Sequence, residues 1–197
     1  MTKSTTSAPD WRHRITRPVT TGIARGLVWL HISANTLTIL GFLIVVGAAT
    51  LIITRHFVWA GIVMLCGSML DGVDGAVARL TGSAGRFGAM LDSVLDRLSE
   101  GVVLVALVYI YAADGISWAA ALAGSALLFS LMVSYVRARA EGLGISCSEG
   151  WFTRAERVIV MALGLLTGYI IVAMAIIVTL SLITFLQRIK TVWCKAR

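Results

Sequence analysis

Proline is nearly missing from this chain. Its two prolines, Pro9 and Pro18, lie close to the N-terminus, so no later apolar stretch carries a residue that would break a helix. Cysteine is scarce as well. Cys66, Cys147 and Cys194 have no CxxC spacing and make an odd count, so the expectation is free thiols in a reducing compartment and no zinc site. Charge is thin, at 14% of 197 residues, against about 25% in ordinary soluble domains. What fills the space is 58% hydrophobic residues and a mean hydropathy of +0.88. That composition excludes an ordinary soluble domain and fits one polytopic, all-α membrane domain with no room for a second folded unit. A net charge of +7 does not imply nucleic acid as a partner. The basic residues sit in short segments beside apolar spans, where positive-inside sorting accounts for them.

Residues 1–9 read as a disordered N-terminus. Over residues 10–32, Trp11, Ile15, Val19, Ile23, Leu27 and Leu30 recur at threes and fours. Arg12, Arg14, Arg17 and Arg25 fall mostly on the other side. This predicts an amphipathic helix lying in the membrane interface against anionic lipid headgroups. A basic, amphipathic start of this length is not expected to be a cleavable signal.

Apolar spans follow at about 37–54, 57–80, 87–113 and 116–139, and a last apolar region covers 155–187. The last is longer than the roughly 20 residues one span needs and shorter than two full spans. A hairpin turning near residues 164–168 leaves 16 of the 17 Lys and Arg residues on one side, with only Arg55 opposite. A single span would place Arg188, Lys190, Lys195 and Arg197 outside, against the positive-inside tendency. The expectation is therefore six transmembrane helices in a multi-pass protein of the cell membrane, with both termini facing the cytoplasm. The membrane domain covers 33–190, and 191–197 form a basic C-terminal tail.

Against this oily background, residues 71–97 hold four aspartates and three arginines. Ionised carboxylates in a membrane protein are costly and usually line a wet cavity with a task. Asp71 and Asp74 are spaced i,i+3, and Asp92 and Asp96 are spaced i,i+4, so each pair shares a helix face. The segment LTGSAG (80–85) turns the chain between them. Converging carboxylates repel one another unless cations sit among them. Oxygen donors without His or Cys suit Mg²⁺ or Mn²⁺, and a pair of ions would suit phosphoryl transfer. Gly72, Gly75, Ala76 and Ala78 leave the surface around the first pair almost bare, room for a flat ligand or for close helix packing. Arg79, on the same helix, can hold a phosphate or orient a carboxylate.

The spacing D-x2-D-G-x2-A-R-x8-G-x3-D-x3-D is met by Asp71, Asp74, Gly75, Ala78, Arg79, Gly88, Asp92 and Asp96. It resembles the signature of the CDP-alcohol phosphatidyltransferases, and the likeness extends over roughly residues 15–193. The resemblance implies a six-helix membrane enzyme, commonly a homodimer, that displaces CMP from a CDP-linked lipid with an alcohol. It implies that Asp71, Asp74, Asp92 and Asp96 hold divalent metal, with Asp96 as general base. It places the CDP-lipid near residues 75–79, with contacts from Asn35, Thr36, Leu37 and Thr38 and from the loop near Gly85, where Ser83 can supply a hydroxyl. Relatives often carry proline just before this first stretch, where this chain has Ser33 and Ala34. They also usually have a longer connection between the last two spans.

Ser134 and Arg137 share a face of the fourth span, Arg154 and Arg157 begin the next, and Arg188 ends the last. Clustered arginines at a cavity favour an anionic acceptor, because guanidinium forks match phosphate. The stretch 134–158, with QRIKTVW at 187–193, is similar to prokaryotic phosphatidylinositol phosphate synthases, which use inositol phosphate as acceptor. Glycerol 3-phosphate is the alternative acceptor. An ion carrier would spread acids along the bilayer midplane, and a prenyl-diphosphate enzyme would carry DDxxD, which is absent.

Overall fold

A computed structural model describes residues 33–82, 85–147 and 150–196. The expected disordered segment 1–9, the interfacial helix over 10–32 and Ser83 lie outside them. The described residues form six helices: α1 Ala34–Ile53, α2 Phe57–Thr81, α3 Arg86–Ala113, α4 Ser117–Gly142, α5 Arg154–Thr167 and α6 Ile170–Lys195. Four of these, α1, α2, α4 and α6, are long and apolar enough to cross a membrane. α3 has 28 residues, but its first half carries the second aspartate pair. α5 has 14 residues, about 21 Å of helix.

Helix α1 begins earlier than its apolar run because Ser33 caps it. The Thr36 N–H donates to Ser33 Oγ at 3.1 Å, satisfying one of the backbone donors a helix start leaves open. The last apolar region is two helices. Gly168, at φ +81°, ends α5 in the left-handed conformation that glycine adopts without strain, and α6 returns against α5. Residues 191–195, expected to be a tail, instead continue α6. No glycine or proline stops the helix there, and Lys195 Nζ donates to the Ser146 carbonyl at 2.8 Å.

Each helix packs chiefly against two others, and the pairs close a ring in the order α1, α2, α5, α6, α4, α3. The main apolar core fills its interior with Val45, Ile52, Met64, Leu104, Leu107, Ile110, Leu165, Met174 and Ile177. Large apolar side chains such as Trp59, Tyr109, Trp118, Leu128, Leu163 and Val172 stay more than half exposed on the rim, where lipid would cover them. α1 and α2 cross closely at two glycines. A Cβ on Gly67 would stand 3.0 Å from the Gly41 carbonyl and 2.7 Å from Val45 Cγ2. A Cβ on Gly41 would strike the Asp71 carboxylate. The close approach of small residues that membranes favour thus brings α1 against the aspartate-bearing part of α2.

At the opposite end, Arg55 in the α1–α2 turn pairs with Asp114 after α3. Nη1 and Nη2 donate to the two carboxylate oxygens at 2.8 and 2.6 Å. The Arg55 hydrogen bond holds the Asp114 carboxyl below the usual carboxylate range. A carboxyl depressed on folding contributes stability above its unfolded pKa and loses it as pH falls through the folded value. Both groups are exposed, so the contribution is small. Asp114→Asn is expected to lower the thermal unfolding midpoint slightly at neutral pH. That difference should vanish once acid protonates Asp114 in the parent, as checked by unfolding scans across pH.

Candidate active site

Two cavities open at the end of the bundle where α2 ends and α3 begins. The first, about 470 Å³, is lined by Ala34, Asn35 and Thr38 of α1, by Asp74, Gly75, Ala78 and Arg79 of α2, and by Gly85, Arg86, Gly88, Ala89 and Asp92. Its shape follows from the missing side chains. A Cβ on Gly88 would stand 3.1 Å from Asn35 Oδ1, and one on Gly75 would stand 3.4 Å from Arg79 Nη1. The cleft therefore runs directly along backbone, with a guanidinium at its edge. Thr38 Oγ1 donates to Asp74 Oδ2 at 2.6 Å. The hydroxyl fixes one oxygen of a carboxylate that is only 7% exposed.

The second cavity, about 250 Å³, is lined by Asp96, Arg97 and Glu100 of α3, Val133, Ser134 and Arg137 of α4, Thr153, Arg154 and Arg157 at the start of α5, and Arg188 of α6. Five guanidinium groups face two carboxylates, so the cavity carries a surplus of positive charge. Thr153 starts α5, its N–H donating to Glu156 Oε2 at 2.9 Å, and so aims the first turn of α5 into the space. On α6, Arg188 is 3% exposed, and its Nη1 donates to the Val133 carbonyl at 2.6 Å. Arg137 pairs with Glu141 one turn on, at 2.8 Å.

The aspartates join the two cavities. Asp74 and Asp92 line the first and Asp96 lines the second. Asp71 lines neither, and its Oδ2 accepts from Arg154 Nη2 at 2.9 Å. Arg154 Nη1 lies 2.5 Å from Asp96 Oδ1. Oδ1 is buried with this ion pair and makes no hydrogen bond. One guanidinium therefore sits between the aspartates of α2 and those of α3. The carboxylates also act on one another, Asp74 with Asp92 and Asp71, and Asp96 with both Asp92 and Asp71.

These donors suit a hard divalent cation in kind, since all four are carboxylates and one buried oxygen lacks a hydrogen bond. Among the described residues no three His, Cys, Asp or Glu side chains gather around one point as they stand. Asp71 and Asp96 would turn from Arg154 toward a cation to share it.

Of the residues the sequence singled out for the CDP-lipid, Asn35, Thr38, Gly75, Ala78, Arg79 and Gly85 line the first cavity. Leu37 does not. It is 1% exposed in a small apolar cluster with Val73, Ala76 and Val77 beneath that cavity. Thr36 is exposed, and its hydroxyl pairs with Ser33. Ser134, Arg137, Arg154, Arg157 and Arg188, singled out for an acceptor phosphate, all line the second cavity. The structure adds Arg86, Arg97, Glu100 and Thr153. Two of these had a sequence signal: Glu100 continues the i,i+4 series of Asp92 and Asp96, and Thr153 with Glu156 is a T-x-x-E helix start.

The family model described as CDP-alcohol phosphatidyltransferase matches residues 31–187. An archaetidylinositol phosphate synthase from Methanothermobacter thermautotrophicus is 37% identical over 171 residues, covering 83% of this chain and 85% of that protein. A phosphatidylinositol phosphate synthase from Corynebacterium glutamicum is 38% identical over 152 residues, 74% of this chain and 68% of that one. The crystal structure of Mycobacterium tuberculosis phosphatidylinositol phosphate synthase with CDP-DAG bound superposes with a TM-score of 0.83 at 33% identity, covering 89% of this chain and 94% of that one. A second structure of that synthase, in complex with manganese and citrate, gives 0.81 at 32% identity, covering 88% of each chain.

Proposed function

The chain belongs to the CDP-alcohol phosphatidyltransferase family, a family of phospholipid-synthesising membrane enzymes, and on that premise we propose that it transfers the phosphatidyl group of a CDP-linked lipid to inositol phosphate, releasing CMP. The observation that carries the acceptor is the second cavity, with five guanidiniums over two carboxylates directly beside Asp96. An uncharged alcohol such as free inositol would gain nothing from that surplus, whereas a phosphate matches guanidinium forks. Relatives named for inositol phosphate products support the same acceptor.

In this mechanism the cytidine lies in the first cavity against the bare backbone of Gly75 and Ala78, with Asn35 and Arg79 at its edges. Leu37 packs in the small apolar cluster beside α2 that backs the α1 wall, and the reading also assigns Thr36 and Ser83 to the CDP-lipid. Asp71, Asp74, Asp92 and Asp96 would hold Mg²⁺ or Mn²⁺, two ions by the family pattern. Bound metal would neutralise the diphosphate and the departing CMP; the manganese complex of the mycobacterial synthase supports divalent metal here. Thr38 keeps Asp74 oriented through its hydroxyl. Ser134, Arg137, Arg154, Arg157 and Arg188 fix the acceptor's phosphate, which brings its hydroxyl to Asp96. Asp96 takes the hydroxyl proton as the new ester bond to phosphorus forms and the bond to CMP breaks. Positioning and charge neutralisation supply most of the acceleration.

The same reading assigns six membrane spans, with α3 and α5 crossing alongside the four apolar helices as members of the ring, and a cytoplasmic active end with both termini on that side. It assigns residues 10–32 to an interfacial helix and takes the enzyme as a homodimer in the cell membrane. The test is direct. Membranes holding the protein are given CDP-lipid, Mg²⁺ and one alcohol at a time. CMP release is expected with inositol phosphate and not with free inositol. Release only with glycerol 3-phosphate would replace the acceptor and keep the reaction.

A further inference from the structure

Arg157 differs from the other cations of the second cavity. It is 2% exposed, and Glu100 grips it with both oxygens. Nε donates to Oε1 at 2.6 Å and Nη2 to Oε2 at 2.9 Å, the side-on fork that fits a guanidinium to a carboxylate. Nη1 approaches the Phe152 carbonyl at 3.5 Å. One side of the pair borders Met64, Val103, Leu104 and Met161 of the apolar core. The other side is the floor of the cavity. A guanidinium cannot rest on apolar side chains without a counter-charge, since leaving a buried charge unpaired is costly.

Glu100 stands one helical turn beyond Asp96, on the same face of α3. Arg157 stands one turn beyond Arg154 on α5. The two helices, which are not principal neighbours in the ring, are thus bridged by two rungs. In the outer rung Arg154 makes single-nitrogen contacts to Asp71 and Asp96 and is 25% exposed. The inner rung is bidentate and buried.

We infer that Glu100 is a positioning residue for the acceptor: it holds Arg157 at the cavity floor with its outward N–H groups presented to the acceptor's phosphate. The inference rests on the acceptor reading given above. It gives the inner rung a task beyond stability, because a buried ion pair can often be exchanged for apolar residues of similar size at no cost to the fold.

That exchange is the test. The double variant Glu100→Leu with Arg157→Met removes both charges together and leaves neither unpaired. It is expected to purify folded and to unfold thermally near the parent's midpoint. Its KM for the phosphorylated acceptor should rise about tenfold or more, the weight of one charge-assisted contact, while KM for the CDP-lipid stays within about twofold. Glu100→Gln alone should move the acceptor KM in the same direction, and Glu100→Asp, which keeps the charge, should recover part of the loss. The Gln and Asp variants decide the matter if the double swap does not fold. An acceptor KM unchanged in the folded variants would overturn the inference, as would an equal rise in both KM values. If the parent enzyme releases CMP with no dependence on a phosphate-bearing alcohol, the acceptor reading itself falls and takes the inference with it. If that dependence holds and the Gln variant matches the parent, the role of Glu100 is lost; if the double swap matches it too, Arg157 is lost from the acceptor site as well.

Discussion

Replacing Asp92 or Asp96 by Asn is expected to cut CMP release by roughly 10³-fold or more, the scale of losing a preorganised charge at a reacting phosphate, while the protein still inserts and purifies. Asn keeps the size of Asp, so neither change opens a void. Asp92 lies at the cavity wall, and Asp96 pairs with Arg154, which is 25% exposed and can turn to water when its partner is neutral. The fold therefore loses little and the site loses a charge. Asp96 would also lose its capacity to take a proton. The check is a CMP-release assay on purified variants beside a thermal unfolding scan. Turnover within a few fold of the parent in either variant would contradict the proposed role of that carboxylate.

Arg157→Ala is expected to destabilise the protein by about 3–5 kcal/mol, the usual cost of removing one partner of a buried pair. Ala leaves Glu100, 8% exposed, with its carboxylate facing apolar neighbours and no fork to satisfy it. It also opens space between the cavity floor and the core. A sharply lowered unfolding midpoint in detergent, with poor yield, is the expected result. An unfolding midpoint equal to the parent's would mean that Glu100 finds water or another donor at once, and that the pair is not enclosed as its 2% and 9% side-chain exposures indicate. Because this variant loses fold and site together, its kinetics alone cannot separate the two, and the charge-free double swap is the cleaner probe of function.

The contrast between these two positions marks what the sequence could tell. Asp71, Asp74, Asp92 and Asp96 stand out because charge is rare in this chain and their spacing puts each pair on one helix face. The lining of the first cavity was legible for a similar reason, since bare Gly75 and Ala78 next to Arg79 leave little doubt about where the backbone lies open. Helix limits were readable where an apolar run ends in a turn, as at Gly168. Beyond residue 190 they are not, because polarity changes there while nothing breaks the helix.

Pairings across the bundle were not legible. Arg154 read as a phosphate ligand, yet it also bridges Asp71 and Asp96. That depends on the rotation of α5 relative to α2 and α3, which no single helix encodes. The role of Glu100 is hidden for the same reason. Its spacing from Asp96 was visible, but its meaning came from Arg157 on a helix that begins more than 50 residues later.

The convergence of the α2 and α3 aspartates on divalent metal and CDP-lipid is tested most directly by manganese binding followed by electron paramagnetic resonance. Mn²⁺ is titrated into the purified parent and into Asp71→Asn, Asp74→Asn, Asp92→Asn and Asp96→Asn, with and without a cytidine diphosphate ligand. The parent is expected to bind Mn²⁺ saturably and more tightly with the nucleotide, and each variant to bind it much more weakly. Equal binding by the parent and all four variants would contradict a shared site.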